Sequence, residues 1–525
     1  MMDKIYNKAV DWPEKFQAIV LLFFLIACWV FSFDYPLSTF IFHEIFPYDQ
    51  KRILQISLLL FSALLVLISP RLRKKMIVLL DSFHPISKYG ITLFLYFGIV
   101  SSIFAKIPAA AFLEWSLYFL LILFSLTIAI IARSFENKSF YFLLSTLLYI
   151  VIAAYLCLII FSYTHDIENH KVISLFPFFT DIRFFSQFAI FSVFLLPLSD
   201  IWFSGKKIIF YLRPILFFLS GAWWTLIILN GSRAFFYSFI ISAIIGLIIF
   251  RKKILGLAWR QGLSIIIGIS VVTVLQFSSI FSNSAHLFHT QTAHISAVNI
   301  DTIRTRLALY HYAVQLMIEH PWFGVGPMHF AYAPPSELIH AVALAAHPHN
   351  FLLMIFVEWG IPAGIIFVSL MLSMLFQLIK RCMFVASNSD CSNDPVILAS
   401  FTMSLLAGLS CAMVSGVFVM PLSQTMLSVI AGASLALCLS QEKMTSLSMT
   451  KNIIYFLCLL IVSVFSGYVV LDTLIHSLPT LTQSEIYWAI THKDRESNHV
   501  ELNPRFWAQG WLTAHHDPLP ITTPE

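Results

Sequence analysis

The chain has 525 residues, of which 59% are hydrophobic and only 11% charged. Soluble domains carry about 25% charged residues, so this chain lacks the polar coat of a soluble fold. The net charge of +5 is modest, no nucleic-acid partner is expected, and the placement of charge is more informative than its sum.

A helix that crosses a bilayer needs about 20 apolar residues, because no backbone group can go unpaired in hydrocarbon. About thirteen stretches qualify on that criterion. They centre on residues 16–33, 53–69, 89–105, 108–132, 139–162, 185–203, 208–229, 234–250, 262–281, 350–378, 396–419, 422–440 and 453–475. The predicted fold class is all-α: a polytopic bundle of about 12–13 spans with one long helical loop. The first run, Phe16 to Phe33, has no small-residue cleavage site after it and reads as a retained helix.

Alternate loops carry the basic clusters, among them Lys4, Lys8 and Lys15, then Arg71, Arg73, Lys74 and Lys75, then Arg251, Lys252, Lys253 and Arg260. The positive-inside rule therefore places the N-terminus in the cytoplasm. Both the loop from Phe281 to His349 and the tail after His476 then lie outside. Cys28, Cys157, Cys411, Cys438 and Cys458 fall in apolar runs and Cys382 and Cys391 flank a short polar loop, so no disulfide framework is indicated. No repeat of two similar halves is visible, which weighs against a transporter built on such repeats.

The long loop holds nine of the chain's 18 histidines but only two arginines, Arg304 and Arg306. Asp301 to Glu319 reads as a helix, with Ile303, Leu307, Tyr310, Val314 and Met317 on one apolar face and Pro321 as a stop. Gly324 and Gly326, followed by Pro327, predict a tight turn where backbone approaches something closely. No third glycine completes a dinucleotide fingerprint.

The loop closes on His347-Pro348-His349-Asn350, ahead of a span in which Glu358 lies about two turns in. A neutral imidazole there can take a proton from a hydroxyl, and a carboxylate at that depth needs a partner or water. The histidines also admit a zinc reading, with His347 and His349 beside His340 or His329, but no catalytic zinc spacing such as HExxH occurs. No metal or cofactor is expected. Arg233 opens a span directly after Asn230-Gly231-Ser232, and two readings fit it: a guanidinium fork for phosphate or a side chain that snorkels to headgroups.

In order, these pieces resemble the O-antigen ligase superfamily, which includes O-antigen ligases, O-antigen polymerases and bacterial O-linked oligosaccharyltransferases. The stretches that carry the resemblance begin with Gly231-Ser232-Arg233 and Arg306-Leu307-Ala308-Leu309-Tyr310-His311-Tyr312-Ala313. They continue with His320-Pro321-Trp322-Phe323-Gly324-Val325-Gly326-Pro327, His349-Asn350-Phe351-Leu352-Leu353 and Glu358-Trp359-Gly360-Ile361-Pro362-Ala363-Gly364. The resemblance implies a GT-C-like membrane glycosyltransferase of the bacterial inner membrane. It implies an undecaprenyl-diphosphate-linked glycan donor and an acceptor hydroxyl on lipid A–core or protein, used without metal and with inversion. By that analogy Arg233 and Arg306 grip the diphosphate, with Arg304 a competitor for the second role. His349 acts on the acceptor hydroxyl, His347 can share that task, and Gly324, Gly326, Asn350 and Glu358 support the site.

The expected function is O-antigen ligase to lipid A–core, with protein O-oligosaccharyltransferase or O-antigen polymerase as alternatives. A polysaccharide flippase is the reading from another class, and it would draw on Glu114, Asp200, Arg213 and Glu358 within the spans; a non-catalytic assembly factor is a third. The expected divisions are N-terminal spans at 1–229, a ligase-like core at 230–378 with its loop at 282–349, C-terminal spans at 379–475 and a tail at 476–525. The aromatic side chains Phe506, Trp507 and Trp511 of that tail read as interface anchors.

Overall fold

The computed structural model describes residues 2–33, 47–135, 138–168, 176, 179, 182–204, 206–281, 300–332, 347–387, 394–439 and 449–477. The tail, His340 and the loop stretches 282–299 and 333–346 lie outside the described residues. Among those described there is no strand. The helices in chain order are α1 (Met2–Ser32), α2 (Pro47–Ile68), α3 (Pro70–Ser82), α4 (Pro85–Phe104), α5 (Pro108–Ser134) and α6 (Ser139–Glu168). There follow α7 (Ile182–Ser192), α8 (Pro197–Phe203), α9 (Ile209–Asn230), α10 (Arg233–Phe250), α11 (Leu255–Phe281) and α12 (Ile300–Glu319). The chain closes with α13 (Phe351–Trp359), α14 (Ile361–Ser387), α15 (Asp394–Ala412), α16 (Pro421–Cys438) and α17 (Met449–Asp472).

Eleven stretches are long and apolar enough to cross a membrane. One of them, Arg233–Phe277, contains both α10 and α11, joined by a 3-10 turn at Arg251–Ile254, and the shorter apolar stretch Phe16–Ser32 stands beside the eleven. The protein is therefore an all-α, multi-pass membrane protein.

Three elements differ from the sequence expectation. The predicted span at 350–378 is two helices, broken at Gly360, whose φ of +88° is open to glycine but strained for other residues. A Cβ there would stand 2.3 Å from the Trp322 carbonyl oxygen, so the break is where another chain segment crosses. The predicted span at 185–203 is likewise divided, by a turn at 193–196 ahead of Pro197. The basic loop after α2 contains a helix of its own, α3. Ser69 caps it by accepting from the Leu72 N–H, and Leu72, Met76, Ile77 and Leu79 turn inward.

In lipid the hydrophobic effect does not drive helices together, so close packing and hydrogen bonds must. Glycine provides the closeness: a Cβ on Gly432 of α16 would lie 2.2 Å from the Ser125 carbonyl oxygen of α5, and one on Gly268 of α11 would lie 2.7 Å from the Trp224 Cβ of α9. At one end of the bundle the buried Asp200 accepts from Arg213 Nε at 2.7 Å and also from Arg260 Nε. Arg213, read from sequence as a charge within a span, thus belongs to an ion-paired knot between α8, α9 and α11. The opposite end gathers the corners 105–107, 231–232, 320–332, 347–350 and 413–420.

Candidate active site

The Gly324–Gly326 turn is a strap laid over the end of α13. The last carbonyls of a helix lack intrahelical donors, and this strap supplies them. Val325 N–H donates to the Val357 carbonyl and Gly326 N–H to that of Glu358, each at 3.0 Å. Gly324 has φ +68°, and a Cβ on it would fall 2.4 Å from the Glu358 carbonyl carbon. The close approach foreseen for these glycines is therefore to the chain itself, Gly324 to the Glu358 backbone and Gly326 to Ala105. Glu358 completes the lock: it is fully buried and its two carboxylate oxygens accept from Met328 N–H (3.2 Å) and Phe330 N–H (3.1 Å). Its position in the sequence argued for a partner, and the partner is the strap. Two more bonds anchor this unit to its neighbours: Ser101 Oγ of α4 donates to the Glu358 carbonyl of α13, and Ile107 N–H at the α4–α5 corner donates to His329 Nε2 of the strap.

At the other end of α13, Asn350 is the N-cap, its side-chain oxygen accepting from Leu353 N–H at 3.1 Å. Just before it, His349 adopts the left-handed backbone region, φ +53°, which costs a β-carbon-bearing residue about 1 kcal/mol or more. His347 offsets part of that strain, because its Nδ1 accepts the His349 N–H at 3.0 Å and the two rings stand 4.5 Å apart. His347 is buried and His349 half-buried. Burial first, then Arg306 and Arg183, push the His349 imidazole down to about 3, so it is neutral across the working pH range.

Arg306, on α12, is itself half-buried. Burial lowers its pKa, Tyr310 one turn on opposes, and Arg183 and Arg233 lower it further. No carboxylate among the described residues enters that balance. Arg233 is the first residue of α10, set there by Gly231, which ends α9 in the left-handed region, and by Ser232 as N-cap. Arg183 lies in the first turn of α7. A helix N-terminus is the positive end of its dipole and disfavours a cation. Two arginines placed so, with a third beside them and the N-terminus of α13 adjoining, make a field that an anion would relieve.

The structure therefore brings together Arg233, Arg306, His347 and His349, and adds Arg183, which the sequence reading passed over. Arg304 is exposed and enters neither balance; two residues apart on a helix point about 200° apart, so α12 cannot aim both arginines inward. The face of α12 that packs on α13 is Leu309, Tyr312 and Ala313, against Phe330 and Val357. Of the apolar stripe read from the sequence, Met317 packs against this cluster while Leu307 and Val314 are exposed. In a membrane protein apolar periodicity marks a lipid face as readily as a core face. The zinc reading finds no support in the geometry around His329: its Nδ1 donates to the Pro327 carbonyl at 2.7 Å while Nε2 accepts from Ile107. No group of three metal-ligating side chains occurs among the described residues. A signal for Arg183 did exist, since it is the charge that opens the span at 183–203 just as Arg233 opens the next-but-one.

The multi-pass bundle thus collects arginines, a neutral histidine and a strapped half-helix at one end. Residues 215–368, which contain Arg233, Arg306 and His349, match the family model described as O-Antigen ligase, and over this stretch the chain carries an O-antigen ligase family domain. That family implies a ligase- or polymerase-like glycosyltransferase activity on lipid-linked glycans at the bilayer. No curated protein matches the chain.

Proposed function

We propose that the protein is a metal-independent, inverting glycosyltransferase of the bacterial inner membrane that transfers a glycan from undecaprenyl diphosphate to a periplasmic acceptor, in the first instance lipid A–core. The observation that supports this most strongly is the convergence of positive charge on one corner: Arg183 and Arg233 act on Arg306, and Arg306 and Arg183 act on His349. With the N-terminus in the cytoplasm, this end of the bundle faces the periplasm, where the lipid-linked donor is consumed.

In this reading the acceptor oxygen attacks the anomeric carbon as the bond from that carbon to the diphosphate oxygen breaks. The hydroxyl proton passes to His349, and the leaving diphosphate keeps the electron pair. Its growing negative charge is held by Arg306, Arg233 and Arg183, so charge stabilisation falls where charge develops. The donor also prepares the base. Bound diphosphate opposes the positive field that holds the imidazole down, and so raises its proton affinity when a base is needed. Asn350 and His347 orient His349; Gly324, Gly326 and Glu358 fix the half-helix that carries it.

The test is a deletion strain complemented with wild type, His349→Ala or Arg306→Ala, scored for surface polysaccharide and glycoprotein together. Lipid A–core without O-chain in the deletion and in both variants, with each variant present in the membrane at wild-type level, is the expected result. Single repeat units would reassign the protein as a polymerase, and unglycosylated pilin as a protein transferase. Full complementation by both variants would remove the site from the chemistry.

A further inference from the structure

Away from the Arg306–His349 corner, a densely bonded polar group among the described residues is Arg52, fully buried near the start of α2. Its Nη1 donates to Gln55 Oε1 at 2.6 Å and to Gln424 Oε1 at 2.7 Å; its Nη2 donates to the Tyr48 hydroxyl at 2.9 Å and to the Val419 carbonyl at 2.7 Å. Gln424 passes the restraint on, donating from Nε2 to the Phe418 carbonyl at 2.6 Å. Two consecutive carbonyls of the 413–420 turn are thus tied to one guanidinium. A buried cation is expensive to keep unless its hydrogen bonds are met, and this much bonding to a single turn calls for a reason beyond joining two helices.

That turn touches the chain on both sides of the candidate base. Gly416 lies against His347, so close that a Cβ would stand 2.8 Å from the His347 Nε2. Phe418 stacks on Phe351, centroids 4.4 Å apart and planes within 7°. His349 sits between those two contacts, in a strained backbone held by the His347 ring. Ser415 of the same turn accepts from Gln187 Nε2 at 2.8 Å, one helical turn beyond Arg183. We infer that Arg52 is a positioning residue for glycan transfer, setting the place of the His349 imidazole through the 413–420 turn and its contacts with His347 and Phe351. This rests on the reading of His349 as the base. Lysine cannot replace Arg52, because a single ammonium lacks the planar fork that reaches Val419, Tyr48 and the two glutamines together.

The experiment uses the full chain in proteoliposomes as wild type, Arg52→Lys, Gly416→Ala and the double variant. Each is assayed for donor and acceptor kinetics, for melting temperature, and for the rate at which diethyl pyrocarbonate modifies His349, read by mass spectrometry. Both single variants should lower kcat about 10- to 100-fold, the scale set by an ångström of misplacement, with the donor KM within about twofold of wild type. Both should change the His349 modification rate by about threefold or more, and the double variant should be little worse than the worse single one, since both act through one turn. Unchanged kcat and labelling in Arg52→Lys would overturn the inference. So would a loss confined to melting temperature in Arg52→Lys with Gly416→Ala unaffected, which would make Arg52 a folding residue. Should wild type transfer no glycan while the labelling still shifts, it is the enzymatic reading that fails and the mechanical coupling that stands.

Discussion

The two ends of the bundle use the same residue type in opposite ways. At one end Arg213 and Arg260 close on Asp200, a buried carboxylate that takes a bond on each oxygen. At the other, Arg306 feels Arg183 and Arg233, and Arg306 and Arg183 bear on a neutral histidine. Paired arginines joining three helices hold a fold together. Arg183 and Arg233 stand instead at helix N-termini, and both lower the pKa of Arg306. The difference teaches that arginine content alone is uninformative in a membrane protein; the partner decides.

Four effects should separate the two ends of the bundle, in decreasing order of size. Arg306→Ala and His349→Ala should each cut glycan transfer by about 10²-fold or more, the usual size of losing a group that meets developing charge or the moving proton. Both variants should keep wild-type abundance in the membrane, measured by quantitative blotting. Asp200→Asn should do the converse, destabilising the protein by about 1–2 kcal/mol because Arg213 is half exposed and water screens part of the pair. Its melting temperature should fall while turnover per folded molecule holds.

The third effect is a dependence on pH. His349 has a folded pKa of about 3 against an ordinary 6.5, so the unfolded chain binds a proton that the folded chain refuses between those values. The stability this group confers is present above about pH 6.5 and is lost as pH falls toward 3. His349→Gln, which cannot titrate, should therefore gain on wild type by a few degrees in melting temperature between pH 7 and pH 5. An unchanged gap would mean the imidazole is not held neutral. The smallest effect belongs to Arg304→Ala, which should change transfer by less than about twofold. A loss as large as that of Arg306→Ala would show that α12 turns its other face to the donor.

Much of this was legible in the chain. The spans were, because a bilayer forces long apolar runs; so was the position of Arg233 and His349 at corners where helices begin. The division at Gly360 was not, since Glu358-Trp359-Gly360-Ile361-Pro362 is apolar enough to read straight through and the break depends on Trp322 crossing it. The apolar stripe of α12 divides for a related reason, Met317 packing inward while other members face out. Leu307 and Val314 repeat as a core stripe would, yet apolar surface in this protein faces outward as well as inward. Arg183 and Arg52 were passed over because a lone arginine at a span end is ordinary; only its neighbours, far away in sequence, give it a role.

The sequence by itself determined that the chain lives in a bilayer, roughly where it crosses, and which kinds of side chain crowd the long loop. These follow from local rules of transfer energy and backbone pairing. The tertiary structure alone decided which arginine stands with the histidine, what Gly324 and Gly326 approach, and what Glu358 accepts. It also set the 413–420 turn against both neighbours of His349. Those are contacts between segments up to hundreds of residues apart, fixed by packing geometry that no local pattern encodes.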